Sequence, residues 1–486
     1  MKRAPKPMWS PSQARIAQAN VTRFARQAIR EWSLDFNNYP AFYRWTVEHA
    51  EQFWQSVWKF ADIVGHRGAR VLVDGHKMPG AQWFPDAHLN YAENLLRRRD
   101  TADALVFWGE DKVCRRLSHL DLYDEVARVA DGLRALGVKP GDRVAGYLPN
   151  MPETIIAMLA SASLGAIWSS CSPDFGMQGV LDRFGQIEPA VLFTVDGSWY
   201  NGKQLDVMDK VCEVSARLPS LKRVIVVPYA GSATPPTRVP NGVAYEDFTG
   251  ASDATEIEFV RLPFDHPLFI MYSSGTTGVP KCIVHGAGGT LLQHAKEHQL
   301  HSDVKPGDRL FYFTTCGWMM WNWLASGLAS GATLALYDGS PFVKRGQVLW
   351  DMADELDFTH FGTSAKYIDH LAKVRVEPIK THKLHALRAI LSTGSPLVPE
   401  SFDYVYRSIK KDVCLSSISG GTDIISCFVL GNPILPVWRG EIQCLGLGLS
   451  VDVFDESGRP LRGGKGELVC TRPFPSMPIY FWNDPQ

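Results

Sequence analysis

Two hydrophobic periods alternate along this chain, and together they predict an α/β fold with mixed or parallel sheets covered by helices. The best specified helix starts at Ser118, which resembles a capping pair with Asp121. Leu122, Val126, Val129, Leu133 and Leu136 then recur at helical spacing until Gly137 stops the run. Short continuous apolar runs at 143–148, 190–194, 223–227, 268–271 and 310–313 read as buried strands. The string Val138-Lys-Pro-Gly-Asp-Arg143 precedes one of them, and it returns as Val304-Lys-Pro-Gly-Asp-Arg309 before another. The echo suggests two α/β units of similar build, although Pro-Gly-Asp makes a good turn anywhere. Residues 229–241, rich in Gly, Ser, Pro and Thr, mark a loop or linker. Beyond 449 the pattern changes to short alternating strands with turns at Glu456-Ser-Gly458 and Gly463-Gly464.

Before residue 100 the pattern is aromatic. Phe42, Trp45, Phe53, Trp54, Val57 and Trp58 fall at spacings that suit one helix face, and without interleaved basic residues they read as core, not as a base-stacking platform. The expected division is an amino-terminal segment 1–100, a first α/β unit 101–240, a second 241–436 and a small β unit 437–486.

Composition adds class limits. At 486 residues, 45% hydrophobic and 21% charged, the chain is long enough for more than one domain. Fifty basic against fifty-one acidic residues give no global attraction to nucleic acid or membrane. Nine scattered cysteines without a C-x-x-C pair argue for free thiols in a reducing compartment. Residues 1–15 lack an apolar h-region, and the run 155–168 is short for a bilayer. A cytoplasmic protein is expected.

The candidate chemistry centres on Met271-Tyr-Ser-Ser-Gly-Thr-Thr-Gly-Val-Pro-Lys281, a turn delivered by an apolar strand. Gly275 and Gly278 let backbone N–H groups approach an anion, Ser273, Ser274, Thr276 and Thr277 add hydroxyl donors, and Lys281 adds charge. The spacing fails the Walker pattern. Two later turns follow apolar runs: Ser392-Thr-Gly-Ser-Pro-Leu397 lies where an open sheet presents a ligand crevice, and Ser417-Ile-Ser-Gly-Gly-Thr-Asp423 ends in a hydroxyl and a carboxylate. His294 and His298 sit four apart like zinc ligands, but Ala295 replaces the glutamate of H-E-x-x-H, so solvent-facing histidines are expected.

The complete loop 271–281 resembles the signature of the acyl-adenylate-forming enzymes, the superfamily of acyl-CoA synthetases, luciferases and peptide-synthetase adenylation domains. Cys282 stands where glycine usually follows the lysine. The stretch Trp83-Phe-Pro-Asp-Ala-His-Leu-Asn-Tyr-Ala-Glu-Asn-Leu95 is similar to the amino-terminal extension of the acetyl-CoA-synthetase-like branch. The resemblance implies ATP, Mg²⁺ and coenzyme A as cofactor and co-substrates. It places ATP phosphates on Ser273, Ser274, Gly275, Thr276, Thr277, Gly278 and Lys281, and adenine on Gly394, Ser395 and Pro396. In the stretch Ser419, Gly420, Gly421, Thr422 and Asp423 it gives Thr422 the α-phosphate and Asp423 the Mg²⁺, a hard cation that wants oxygen ligands. Ser419 replaces an aromatic that stacks on adenine. Gly420 replaces a tryptophan that closes the acyl pocket, which is expected to enlarge that pocket beyond acetate. Trp318 and Met319 become pocket walls, and Lys203 a grip for CoA phosphates.

The reaction implied is activation of acetoacetate to its CoA thioester through an acyl-adenylate, with AMP and pyrophosphate released. Acetate, propionate or butyrate are the alternative acids, and a non-catalytic nucleotide-binding half is the alternative class. The expected partners are therefore a small carboxylic acid, ATP and CoA. Family members continue past Tyr480-Phe-Trp-Asn-Asp-Pro-Gln486 with a mobile small domain carrying an adenylation lysine. The resemblance thus also implies that this domain is absent or separately encoded, and that turnover is poor.

Overall fold

The structure, a computed structural model, describes residues 6–273 and 278–484. Two large sheets organise it. The first runs in space Gly242–Ala244, Arg223–Val227, Val191–Val195, Arg143–Tyr147, Ile167–Cys171, Pro267–Ser273, Lys281–Gly286 and Tyr480–Phe481. Its neighbours are parallel as far as Pro267–Ser273 and antiparallel thereafter. The second runs Cys414–Ser417, Ala389–Thr393, His360–Ser364, Arg309–Tyr312, Thr333–Asp338, Asp103–Gly109 and Val113–Ser118, and only the last pair is antiparallel.

Burial on both faces explains the continuous apolar runs. In the second sheet Leu310, Tyr312, Leu334 and Leu336 enter one core while Phe311, Ala335 and Tyr337 enter another, as a two-residue period requires. Helix His119–Ala135 carries the expected capping box, Ser118 with Asp121. Both Pro-Gly-Asp turns are built alike: Asp142 accepts the Lys139 N–H at 2.9 Å and Asp308 the Lys305 N–H at 2.8 Å, and each turn feeds a strand of a different sheet.

The sheets interleave in sequence, so the expected boundary at 240/241 does not coincide with a change of sheet. Hairpin 103–118 completes the second sheet and hairpin 267–286 the first. An antiparallel hairpin can close a sheet edge without a crossover, which lets a segment adjacent in sequence to one unit extend the other. The small β region likewise begins before 437, because Ser419–Gly421, Ser426–Leu430 and Cys444–Leu445 form one antiparallel sheet. Val451–Phe454 and Glu467–Cys470 pair as the expected hairpin.

The aromatic stripe is core, but it belongs to two helices. Tyr39–Glu48 and Ala50–Phe60 meet at His49, whose φ of −117° and ψ of 53° break the helix. Phe42, Trp45, Phe53, Trp54, Val57 and Trp58 are all buried. Downstream, the Asn90 amide donates to the carbonyls of Ala162, Ser163 and Val260, at 3.0, 3.0 and 2.8 Å, and so ties the amino-terminal segment to the first sheet's helix layer. Among the described residues no helix is long and apolar enough to cross a membrane. The apolar helix Pro152–Ser163 is buried in protein along its length.

Candidate active site

The carboxyl ends of the parallel strands of both sheets open onto one cleft of about 980 Å³. Asn150, Ser172 and Asp174 reach it from the first sheet, and Thr314, Thr315, Asp338 and Ser364 from the second. This is where open α/β sheets bind ligands. Burial pushes the Asp338 carboxyl up to about 7, against the opposing effect of the Tyr229 hydroxyl that donates to it at 2.9 Å.

Of the phosphate-loop candidates, Ser273, Gly278 and Lys281 lie on the hairpin that adjoins the short edge strand Tyr480–Phe481 of the first sheet. Ser273 and Lys281 face each other across the hairpin, Gly278 turns it at φ 101°, and the Pro280 carbonyl is held by Gln186 Nε2 at 2.9 Å. Ser274, Gly275, Thr276 and Thr277 lie outside the described residues. Among the described residues no hydrogen bond or ion pair engages the exposed Lys281 ammonium or the exposed Asp423 carboxylate.

Three contacts join the candidate loops. Ile418 N–H donates to Ser392 O at 2.9 Å and Thr393 Oγ1 to Ile418 O at 3.2 Å, which sets the turn of Gly394, Ser395 and Pro396 beside Ser419. Gly394, at φ 86°, brings that turn against Ser364 of the cleft. His285, on the Lys281 strand, lies 2.7 Å from the Thr422 carbonyl. The structure thus ties the strand that begins at Lys281 to the Thr422–Asp423 turn through His285, and the 394–396 turn follows a strand paired with 414–417.

Other expectations change. A Cβ at Gly420 would lie 2.0 Å from the Ser426 carbonyl oxygen, so glycine is required by the close approach of two strands and does not by itself report a widened pocket. Gly421 is the next residue of the same ladder. Trp318 is 66% exposed and Met319 buried, and neither borders the cleft, whereas Thr314 and Thr315 of the same segment do. Lys203 lies exposed on a hairpin whose Trp199, Tyr200 and Gln204 line the cleft. Lys210 and Lys366 line it directly.

The histidine expectation is overturned. His294 and His298 are fully buried, because the helical segment carrying them packs against the turn that contains Ile425 and against Trp323. His294 contacts Ser326 Oγ and Ile425 O, each at 2.7 Å. Among the described residues no three His, Cys, Asp or Glu side chains converge as a metal site. Sequence reasoning missed His285, Glu297 and Asp338. A titratable residue inside the apolar run Cys282-Ile-Val-His285 was the available signal for the first; the others gave none.

Burial lowers the pKa of His285 to about 4 and of His301 to about 3, and lowers those of His294, His298 and His360. A histidine with a depressed folded pKa stabilises fully above its ordinary 6.5, and that contribution is lost as pH falls towards the folded value. Burial raises Asp338 to about 7 and Asp265 to about 6, and these favour the fold at low pH and lose that contribution as pH rises through those values. The histidines outnumber the carboxylates. The urea midpoint is therefore expected to fall between about pH 7 and about pH 5; a flat or rising midpoint would show that the two carboxyls dominate.

The family described as AMP-binding enzyme matches residues 93–481, and the acetyl-coenzyme A synthetase N-terminus matches 39–95. An acetoacetyl-coenzyme A synthetase of Rhizobium meliloti (strain 1021) is 57% identical over 484 residues, covering 99% of this chain and 74% of that protein. Acetoacetyl-CoA synthetase of Gallus gallus is 48% identical, covering 98% and 73%. The solved acetoacetyl-CoA synthetase from Streptomyces lividans superposes with a TM-score of 0.93 at 46% identity, covering 99% of this chain and 75% of that one. These alignments do not bear out the expectation of a missing or separately encoded small domain: they take in nearly all of this chain, and the remaining quarter of each relative says nothing of where this protein ends. The match runs from the helical amino-terminal segment through both sheets and the fastened loops, and this chain belongs to the AMP-binding enzyme family.

Proposed function

We infer that the protein is an AMP-forming acid–thiol ligase that converts ATP, acetoacetate and CoA to AMP, pyrophosphate and acetoacetyl-CoA through an acetoacetyl-adenylate. The observation that carries the reading is that His285 fastens the Lys281 strand to the Thr422–Asp423 turn, with no partner among the described residues for the Lys281 ammonium or the Asp423 carboxylate, in a chain whose two sheets open onto a cleft of about 980 Å³. Acetoacetate is chosen because the relatives at 57% and 48% identity are named for it; the geometry of Gly420 does not select the acid.

In this reading the acid's carboxylate attacks the α-phosphorus. Lys281, with Ser273 and Gly278, holds the departing pyrophosphate, and Thr422 donates to the α-phosphate as charge grows there. Mg²⁺, when bound, neutralises phosphate charge. The exposed Asp423 carboxylate would offer an oxygen ligand of the kind a hard cation takes. Gly394, Ser395, Pro396 and Ser419 cradle adenine, and Trp318 and Met319 stand on the acyl side. The cleft takes CoA, whose phosphates suit Lys366 and Lys210 at the wall and Lys203 at the rim. CoA sulfur then attacks the acyl carbonyl and AMP leaves. We place the protein in the cytoplasm, where its free thiols stay reduced. The test is mass-spectrometric detection of acetoacetyl-CoA formed from ATP, CoA and acetoacetate; absence of any acid-dependent pyrophosphate or thioester would favour a nucleotide-binding role.

A further inference from the structure

We propose that His285 is a positioning residue for adenylation: it fixes the Thr422–Asp423 peptide relative to Lys281, so that the groups acting on the two ends of the reacting phosphate chain keep one geometry. The proposal rests on the functional reading above. His285 lies four residues after Lys281 on the same strand and is buried, with Nε2 2.7 Å from the Thr422 carbonyl oxygen. A carbonyl only accepts, so Nε2 carries the proton and donates. Its Nδ1 is buried without a hydrogen-bond partner among the described residues, as suits a neutral ring.

The bond holds a segment that needs holding. Among the described residues the other contact to this carbonyl is long, 3.3 Å from Ile425 N–H, and Ile425 has a φ of 48°, a left-handed conformation unfavourable for a β-branched residue. Further along, His294 Nε2 donates to Ile425 O at 2.7 Å, and Glu297 accepts from Ser426 and Cys427. Strand 281–286 and the helix after it therefore grip residues 422–427 at successive points. Among the described residues, His285 is the side chain that grips the peptide joining Thr422 to Asp423.

The test uses His285→Phe, which keeps a flat ring without the donor, and His285→Gln, whose amide can restore it. Three quantities are read: acetoacetate-dependent ATP–pyrophosphate exchange, MgATP affinity by calorimetry, and the melting temperature. In His285→Phe the exchange kcat is expected to fall about tenfold or more with the acetoacetate KM within about twofold, as a displaced catalytic group produces. MgATP binding should weaken, and His285→Gln should recover both to within about threefold. Wild-type exchange in His285→Phe overturns the proposal, as do equal defects in both variants at an unchanged melting temperature. If the wild type itself shows no acid-dependent exchange, the functional reading fails and MgATP affinity decides: weakened in Phe and restored in Gln supports the positioning role, unchanged in both overturns it.

Discussion

Replacing Glu297 by alanine is expected to cost about 3–5 kcal/mol of stability, read as a lowered urea midpoint at neutral pH. Its carboxylate is 1% exposed and accepts from Ser426 Oγ, from Gln293 Nε2 at 3.1 Å, from Cys427 N–H at 3.3 Å and from Trp323 Nε1 at 2.9 Å. The Lys296 ammonium, fully buried, lies 3.6 Å from it and has no hydrogen-bond acceptor among the described residues. Burial depresses the Lys296 pKa and the Glu297 charge opposes that fall. Alanine would leave the amine with no counter-charge and several donors unmet, the situation in which removing one partner costs far more than the pair contributes. Changing Lys296 to methionine in the same chain should recover part of the loss. A drop below about 1 kcal/mol in the single variant would mean that water or another acceptor replaces the carboxylate.

On the proposed reading, Thr422→Val, which removes a donor to the α-phosphate, and Asp423→Asn, which removes a carboxylate offered to the cation on the phosphates, are each expected to lower acetoacetate-dependent pyrophosphate exchange about 10²–10³-fold. Asp423 is exposed and Thr422 half-buried, so the unfolding midpoint should stay within about 0.5 kcal/mol of wild type. The combination separates this pair from Glu297, whose loss acts on folding. Exchange rates within about threefold of wild type in both variants would remove the pair from the reacting centre.

Much of this was legible in the sequence because its signals are local. The capping box at Ser118, the strand at 223–227 and the strand at 268–271 depend on residues within one turn or one strand of each other. The sheet assignment was not legible, since the pairing of 103–109 with 333–338 bridges distant segments by backbone bonds that no residue type announces. His294 and His298 show the same limit. Their pattern is that of any polar pair on a helix, and only the packing of Ile425, Ser326 and Trp323 around them makes them internal. Gly420 misled in a different way: its absent side chain looked like room for substrate, whereas the strand 426–430 occupies that space.

Acid-dependent ATP–pyrophosphate exchange, measured side by side with acetoacetate, butyrate and acetate at equal concentrations, tests the central claim most directly. Acetoacetate should give the highest kcat/KM, by about tenfold or more over acetate, as expected when a polar group of the preferred acid is matched by the site. Preference for acetate would contradict the assignment of the acid, and exchange with none of the three, alongside measurable MgATP binding, would contradict the ligase itself.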